Sequence, residues 1–223
     1  MAKIKEIFKS IQGEGPYIGR EQLFIRFCCC NLNCDYCDTN FDNNEVLGDF
    51  SPEELVQYLS DMNLDNVHSI SLTGGEPLLS SVFLKAFLPL LGDKKIYLET
   101  NATLLDNLLD VIQYVDIIAA DIKLKSATGI DGTFELHDKF FEIAKNKELF
   151  AKIVFNQNIT NEEIVKSCEL AKKYNIPVIL QPQMCGDNLA VSSKFIESTF
   201  LKFLDLYHDV RLIPQVHKFI NVI

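Results

Sequence analysis

Leu23-Phe24-Ile25-Arg26-Phe27, followed beyond Cys28 and Cys29 by Cys30-Asn31-Leu32-Asn33-Cys34-Asp35-Tyr36-Cys37, is the stretch on which the reading of this chain turns. The first run is apolar and β-type; the second is a C-x3-C-x2-C loop that runs straight into Asp38 and Thr39. The loop therefore follows a strand. In an α/β barrel that is where active sites are built. Three thiolates with no evident fourth ligand are a poor structural zinc site, which closes itself with four protein ligands. A [4Fe-4S] cluster held by three thiolates instead keeps one iron open to bind and activate a small molecule.

Other readings of the same cysteines are weaker. A zinc knuckle completed by Cys28, Cys29 or a distant His has to contend with strand alternation, which sends neighbouring side chains to opposite faces. A disulfide framework is disfavoured by an odd count of seven cysteines and by the absence of a signal peptide at the start of the chain. The tight cluster suits metal ligation in a reducing, cytoplasmic setting. Cys168 reads as an ordinary buried residue of a helix, and Cys185 has no comparable setting.

Length and composition bound the rest. At 223 residues and 48% hydrophobic, the chain can bury one substantial core, and no Gly/Ser/Pro-rich linker or repeat divides it. A single domain is expected. No apolar run reaches the roughly 18 residues that span a bilayer, so a soluble protein without a membrane partner is expected. The net charge of -10 disfavours a basic track for nucleic acid and leaves a small molecule as the expected ligand.

Short apolar runs alternate with longer amphipathic ones. His68 to Thr73, Lys95 to Thr100, Val115 to Ile122, Phe150 to Phe155, Pro177 to Gln181 and Val210 to Ile213 read as strands. Helical patterns lie near Val82 to Leu91, Leu104 to Tyr114, His137 to Lys147, Asn161 to Tyr174 and Ser192 to Tyr207. The clearest helix start is Ser51-Pro52-Glu53-Glu54, with Ser51 at the N-cap, Pro52 in the first helical position and Glu54 placed to close a capping box. The pattern implies an α/β fold, a partial, open TIM-like barrel of about six parallel strands with helices outside. Residues 1–22 are read as a substrate-loop extension and 208–223 as a C-terminal segment that returns to the active site.

Nearly every strand ends in a group that packing alone would not choose: Thr73-Gly74-Gly75-Glu76-Pro77, Glu99-Thr100-Asn101, Asp121-Ile122-Lys123 and Gln181-Pro182-Gln183. The carboxyl ends of parallel strands share one face of a barrel, so these groups and the cysteine loop describe one pocket.

The cysteine loop, with Tyr36 just before its last cysteine, resembles the hallmark of the radical S-adenosylmethionine (SAM) enzymes, and Gly74-Gly75-Glu76 is similar to their G-G-E motif. The resemblance implies a [4Fe-4S] cluster on Cys30, Cys34 and Cys37, and SAM contacts at Gly75, Glu76, Asp121, Lys123, Gln181 and Pro182. Asp121-Ile122-Lys123 stands where relatives carry Ser-Pro-Lys.

Ser10-Ile11-Gln12-Gly13-Glu14-Gly15-Pro16 offers backbone N–H groups, an amide and a carboxylate suited to the edge of a purine or pterin. With Arg26, Cys37-Asp38-Thr39, Glu99-Thr100-Asn101 and Pro214-Gln215-Val216-His217-Lys218, it resembles the 7-carboxy-7-deazaguanine synthase family along essentially the whole chain. That resemblance implies a lyase that contracts the ring of 6-carboxy-5,6,7,8-tetrahydropterin with release of ammonia, in queuosine and 7-deazapurine biosynthesis. It further implies SAM used catalytically, Mg2+ at Thr39, and substrate contacts at Ile11, Gln12, Gly13, Glu14, Arg26, Thr73 and the carboxylate of Ile223. A flavodoxin or ferredoxin as electron donor and a homodimer complete the expectation. Two competing readings are a glycyl-radical activating enzyme of the same superfamily and a non-catalytic zinc-binding module.

Overall fold

The computed structural model describes residues 1–37 and 46–222. In chain order its strands and helices are β1 (Ala2–Ile11), β2 (Glu21–Phe27), β3 (Gly48–Phe50), α1 (Pro52–Ser60), β4 (Ser69–Gly74), α2 (Ser81–Phe87), β5 (Ile96–Thr100), α3 (Leu105–Val111), β6 (Ile117–Asp121), α4 (Lys125–Thr128), α5 (Thr133–Ala144), β7 (Glu148–Phe155), α6 (Asn161–Tyr174), β8 (Val178–Pro182), β9 (Met184–Cys185), β10 (Asn188–Leu189), α7 (Ser193–Leu206), β11 (Val210–Leu212) and α8 (Val216–Ile220). One sheet runs β11-β8-β7-β6-β5-β4-β2-β1-β3. From β2 to β11 every pairing is parallel, while β1 and β3 pair antiparallel at one edge. The sheet's two edge strands do not pair with each other, so the barrel is open. Among the described residues no helix is long and apolar enough to cross a membrane.

Local chemistry accounts for the element boundaries. Ser51 Oγ accepts from the Glu54 N–H at 3.2 Å while Glu54 Oε2 accepts from the Ser51 N–H at 2.7 Å, so the expected capping box starts α1. Thr160 and Glu163 form the same reciprocal pair at the start of α6. Pro89 stops α2 short of the expected Leu91, and the chain continues as a 3-10 turn over Leu88–Leu91.

Among the described residues the parallel strands number seven where about six were expected, the Leu23–Phe27 run being the first of the series. The stretch 1–22 resolves into a strand and a loop. β1 pairs with β2 over most of its length, with a bulge between Ile4 and Glu6, and that extra residue interrupts the alternation by which the strand would be read. Gln12 to Arg20 is the loop. Within it Gly15 takes φ +66, where an added Cβ would lie 3.0 Å from the Phe150 ring.

Strand alternation divides the core in two. Leu98, Ile118, Ala120, Ala151, Ile153 and Leu180 turn outward under the helices. Tyr97, Ile117, Ala119, Phe150 and Ile179 turn inward, and Tyr17 and Ile213 pack on them. This inner cluster fills the barrel near the amino ends of its strands, with Tyr17 edge-on to Tyr97 at 5.8 Å between centroids. The next inward positions along the same strands are Glu99, Asp121, Lys152 and Gln181, with Val154 beyond Lys152.

Gly74 ends β4 at φ +120, and a Cβ there would lie 2.3 Å from the Phe27 carbonyl oxygen of the neighbouring strand. Gly74→Ala is expected to cost at least about 1–3 kcal/mol through the strained backbone alone. A fall in the urea midpoint at unchanged slope measures it.

Candidate active site

A cavity of about 380 Å³ opens at the carboxyl ends of the strands. Cys30, Cys34 and Cys37 line it together with Ile11, Gln12, Gly13, Glu14, Arg26, Thr73, Gly75, Asp121, Lys123, Gln181 and Pro182. The structure thus brings nearly all the site residues expected from sequence into one chamber. Glu76 stands behind the wall instead, and Thr39 and Ile223 lie outside the described residues.

Glu76 is fully buried. Its carboxylate accepts from Leu78 N at 3.1 Å, Thr100 Oγ1 at 2.9 Å and Asn101 N at 2.7 Å. Burial pushes its pKa up to about 7, against the pull of those three donors. The backbone N–H groups of Gly75 and Glu76 donate to the carbonyls of Phe27 and Cys29. The G-G-E turn therefore ties β4 to the start of the cysteine loop and to the end of β5.

Among the described residues no three His, Cys, Asp or Glu side chains gather as ligands for a single metal ion. A [4Fe-4S] cluster takes each thiolate on a different iron, so one point of convergence is not what it requires. Burial pushes the Cys30 thiol up and the Cys34 thiol to about 11. Metal binding must therefore displace protons from both.

At the end of β6, Lys123 Nζ lies 2.7 Å from Asp121 Oδ2 and 2.8 Å from Tyr36 Oη, above the Tyr36 ring. The aromatic residue of the cysteine loop is thus pinned by the strand-end lysine. Burial opposes the charge on Lys123, but Asp121 beside it holds its pKa well above the usual lysine value. His137, absent from the sequence reading of the site, supports this corner from behind. Its Nε2 accepts from the Lys123 N–H at 3.1 Å, so Nδ1 carries the proton and donates to the Ala102 carbonyl at 3.2 Å. Burial lowers its pKa to about 4 and keeps it neutral.

Two buried acceptors, Asp121 Oδ1 and Gln181 Oε1, have no hydrogen-bond partner among the described residues. Both residues line the cavity. A buried unpaired acceptor is costly unless a ligand donor completes it. The pair therefore suits a cofactor rich in hydroxyl and amino groups, and the residues present fit SAM.

Elsewhere in the chamber Gln12 Nε2 donates to Gln22 Oε1 at 3.0 Å and to Glu99 Oε1 at 3.1 Å, while Thr73 Oγ1 donates to Glu99 Oε2 at 3.0 Å. Gln12 Oε1 accepts from Glu14 N at 3.0 Å. The Gln12 amide is thereby committed to the wall. Glu14 lies 2.6 Å from Lys152 Nζ and accepts from Gln215 Nε2 at 2.7 Å. Gly13 carries no side chain because α8 lies against it: an added Cβ would fall 2.4 Å from His217 Nδ1, and Val216 N donates to the Gly13 carbonyl. Gln215, His217 and Lys218 line the cavity. Arg26 Nε is 2.6 Å from Glu6 Oε1, and its guanidinium lies over Phe8.

Glu99 and Asn101 were placed in the pocket from sequence without individual roles, and Lys152 was not assigned. Lys152 had a signal: a lone cation inside the apolar run Phe150 to Phe155.

Residues 24–206 match the Radical SAM superfamily, the class that an open parallel barrel with a three-cysteine loop at its strand ends defines. A crystal structure titled QueE from Escherichia coli shares the fold, with a TM-score of 0.63 over 97% of this chain and 94% of that one at 18% identity. Along its length the chain is 37% identical to the 7-carboxy-7-deazaguanine synthase of Geobacter sulfurreducens (99% of this chain, 97% of the relative). It is 36% identical to that of Archaeoglobus fulgidus (99% of each). The chain belongs to the radical SAM superfamily and, within it, to the family of 7-carboxy-7-deazaguanine synthases. That membership sets aside the zinc-module and glycyl-radical readings.

Burial alone would raise the Glu14 pKa, but the Lys152 ammonium and the Gln215 amide hold it at about 2. A carboxylate whose folded pKa lies below its unfolded value stabilises the fold above that unfolded value, and the contribution fades as pH falls from about 4.5 to about 2. Urea denaturation across this window should show wild type losing about 3 kcal/mol more than Glu14→Gln.

Proposed function

We propose that this chain converts 6-carboxy-5,6,7,8-tetrahydropterin to 7-carboxy-7-deazaguanine with loss of ammonia, a radical ring contraction on the route to queuosine and other 7-deazapurines. The observation that carries this reading is a single cavity shared by the cysteine loop, the two unpartnered acceptors Asp121 and Gln181, and the Gln12–Glu14 loop with α8 docked on it. Cys30, Cys34 and Cys37 hold the [4Fe-4S] cluster, and Gly75, Asp121, Lys123, Gln181 and Pro182 hold SAM. Bound there, the cluster and SAM would supply radical chemistry to the substrate.

The protein's own contribution is positioning, electrostatics and exclusion of water. Glu99, held by Gln12 and Thr73, presents a fixed carboxylate to the chamber. Lys152 places a cation beside it, kept protonated against burial by Glu14, Asp121 and Glu99. Arg26 supplies a guanidinium suited to the substrate carboxylate, while Ile11, Gly13 and the backbone of Glu14 form the wall along which the pterin lies. Mg2+ is proposed at Thr39, and the Ile223 carboxylate is proposed to reach the substrate. A flavodoxin or ferredoxin as reductant, and a homodimer as the working assembly, are part of the same reading.

Anaerobic incubation of the reconstituted protein with dithionite, SAM, Mg2+ and 6-carboxytetrahydropterin should yield 7-carboxy-7-deazaguanine by mass, with SAM not consumed in proportion. Cys34→Ala should abolish turnover and the brown iron-sulfur absorbance together. Cleavage of SAM by an intact, reducible cluster with no deazaguanine formed would move the assignment to another radical SAM reaction. Chelation of Mg2+ should raise KM for the pterin about tenfold or more and leave the cluster spectrum unchanged, and Thr39→Ala should reproduce that effect.

A further inference from the structure

We infer that Asn101 is a positioning residue for the cluster, donating its side-chain N–H to the Cys30 sulfur and thereby raising the cluster's reduction potential. The inference rests on Cys30 being a cluster ligand, as the superfamily membership implies.

Asn101 follows the last residue of β5 and is almost fully buried. Its orientation is over-determined. The backbone N–H donates to Glu76 Oε2 at 2.7 Å. The side-chain Oδ1 accepts from Thr103 N at 3.2 Å and Thr103 Oγ1 at 2.6 Å. Two donors on the oxygen leave the NH2 group facing the other way, where Nδ2 lies 2.8 Å from Asn31 Oδ1 and 3.8 Å from Cys30 Sγ. Asn31 closes the ring by donating from its own Nδ2 to Thr103 Oγ1 at 2.9 Å. Ala102 makes this turn possible by adopting φ +55, a conformation that non-glycine residues rarely take, and His137 holds its carbonyl.

Sulfur changes role when the cluster binds. A thiol can donate, and Cys30 Sγ lies 4.0 Å from Asn31 Oδ1; a metal-bound thiolate only accepts. The Leu32 N–H, at 3.4 Å, and the second N–H of Asn101 then meet the sulfur. Donors to cluster sulfurs are one of the levers that set iron-sulfur potentials. Each stabilises the extra electron of the reduced state, so removing one disfavours reduction.

The test uses the full chain, reconstituted anaerobically, with iron and sulfide analysis followed by an electron paramagnetic resonance (EPR) redox titration without SAM. Asn101→Leu should assemble the cluster yet show a reduced-to-oxidised ratio about three- to tenfold lower at a fixed potential; tenfold corresponds to 59 mV for a one-electron couple. Should the variant misfold, protein carrying asparagine labelled with 15N in its side chain is used instead: the reduced cluster should show a 15N hyperfine coupling in wild type, and Asn31→Asp and Asn33→Asp should leave that coupling in place. An unchanged potential with an intact cluster overturns the inference, as does absence of the coupling in wild type. Weakened SAM binding at unchanged potential also overturns it, since Asn101 would then serve the cofactor. If wild type assembles no cluster, the radical SAM premise itself falls, an outcome separable from the others by iron content alone.

Discussion

The two-residue period of the β-strand, applied to seven parallel strands in register, is the constraint on which the rest of this structure depends. Parallel pairing sets Glu99 level with Ala119, Asp121 with Lys152, and Val154 with Gln181, so inward side chains of adjacent strands meet at the same height. Near the amino ends of β5 to β8 those positions are apolar and close the barrel around Tyr97 and Phe150, while β2 and β4 turn Gln22, Ser69 and Ser71 inward there. Toward the carboxyl ends they are Arg26, Thr73, Glu99, Asp121, Lys152 and Gln181, and they cannot be buried without partners. A one-residue slip of any strand would send its polar residue under the helices and an aliphatic one into the chamber.

Two carboxylates, Glu76 fully buried and Glu14 largely so, then hold the chamber together. Among the described residues Glu76 has no cation in contact, and it spends its acceptors on three donors, two of them from the end of β5. That arrangement suits a group burial has pushed to about 7. Glu14 is the reverse case, a carboxylate kept charged by Lys152, whose hydrogen bond from Gln215 also ties the C-terminal segment to the β1–β2 loop. Loss of either member of such a buried pair strands a charge, which costs several times what an exposed pair contributes. The surface pairs Lys139–Glu135 and Lys166–Glu162 on the helices are of the exposed kind.

Much of this was legible beforehand, for identifiable reasons. Helix starts at Ser51 and Asn161 carry their determinants within a few residues, because a cap is a local exchange of hydrogen bonds. The cysteine loop, the Gly-Gly turn and the polar strand ends are likewise local in sequence, and the parallel-strand rule alone assembles them into one face. β1 was hidden by its bulge, and the partner of Lys152 by distance, since nothing near that lone cation in sequence announces Glu14.

The amino-acid sequence by itself determined the alternation of the parallel strands with the longer helices, the face on which chemistry would sit and the family to which the chain belongs, because these follow from short-range periodicity and from contiguous motifs. Only the tertiary structure decided what each polar group is bound to. It withdrew Glu76 from the cavity, committed Gln12 to Glu99, set His137 behind Lys123 and brought Asn101 to Cys30. Those pairings join residues far apart in the chain, and a hydrogen bond is specified by distance and direction in space.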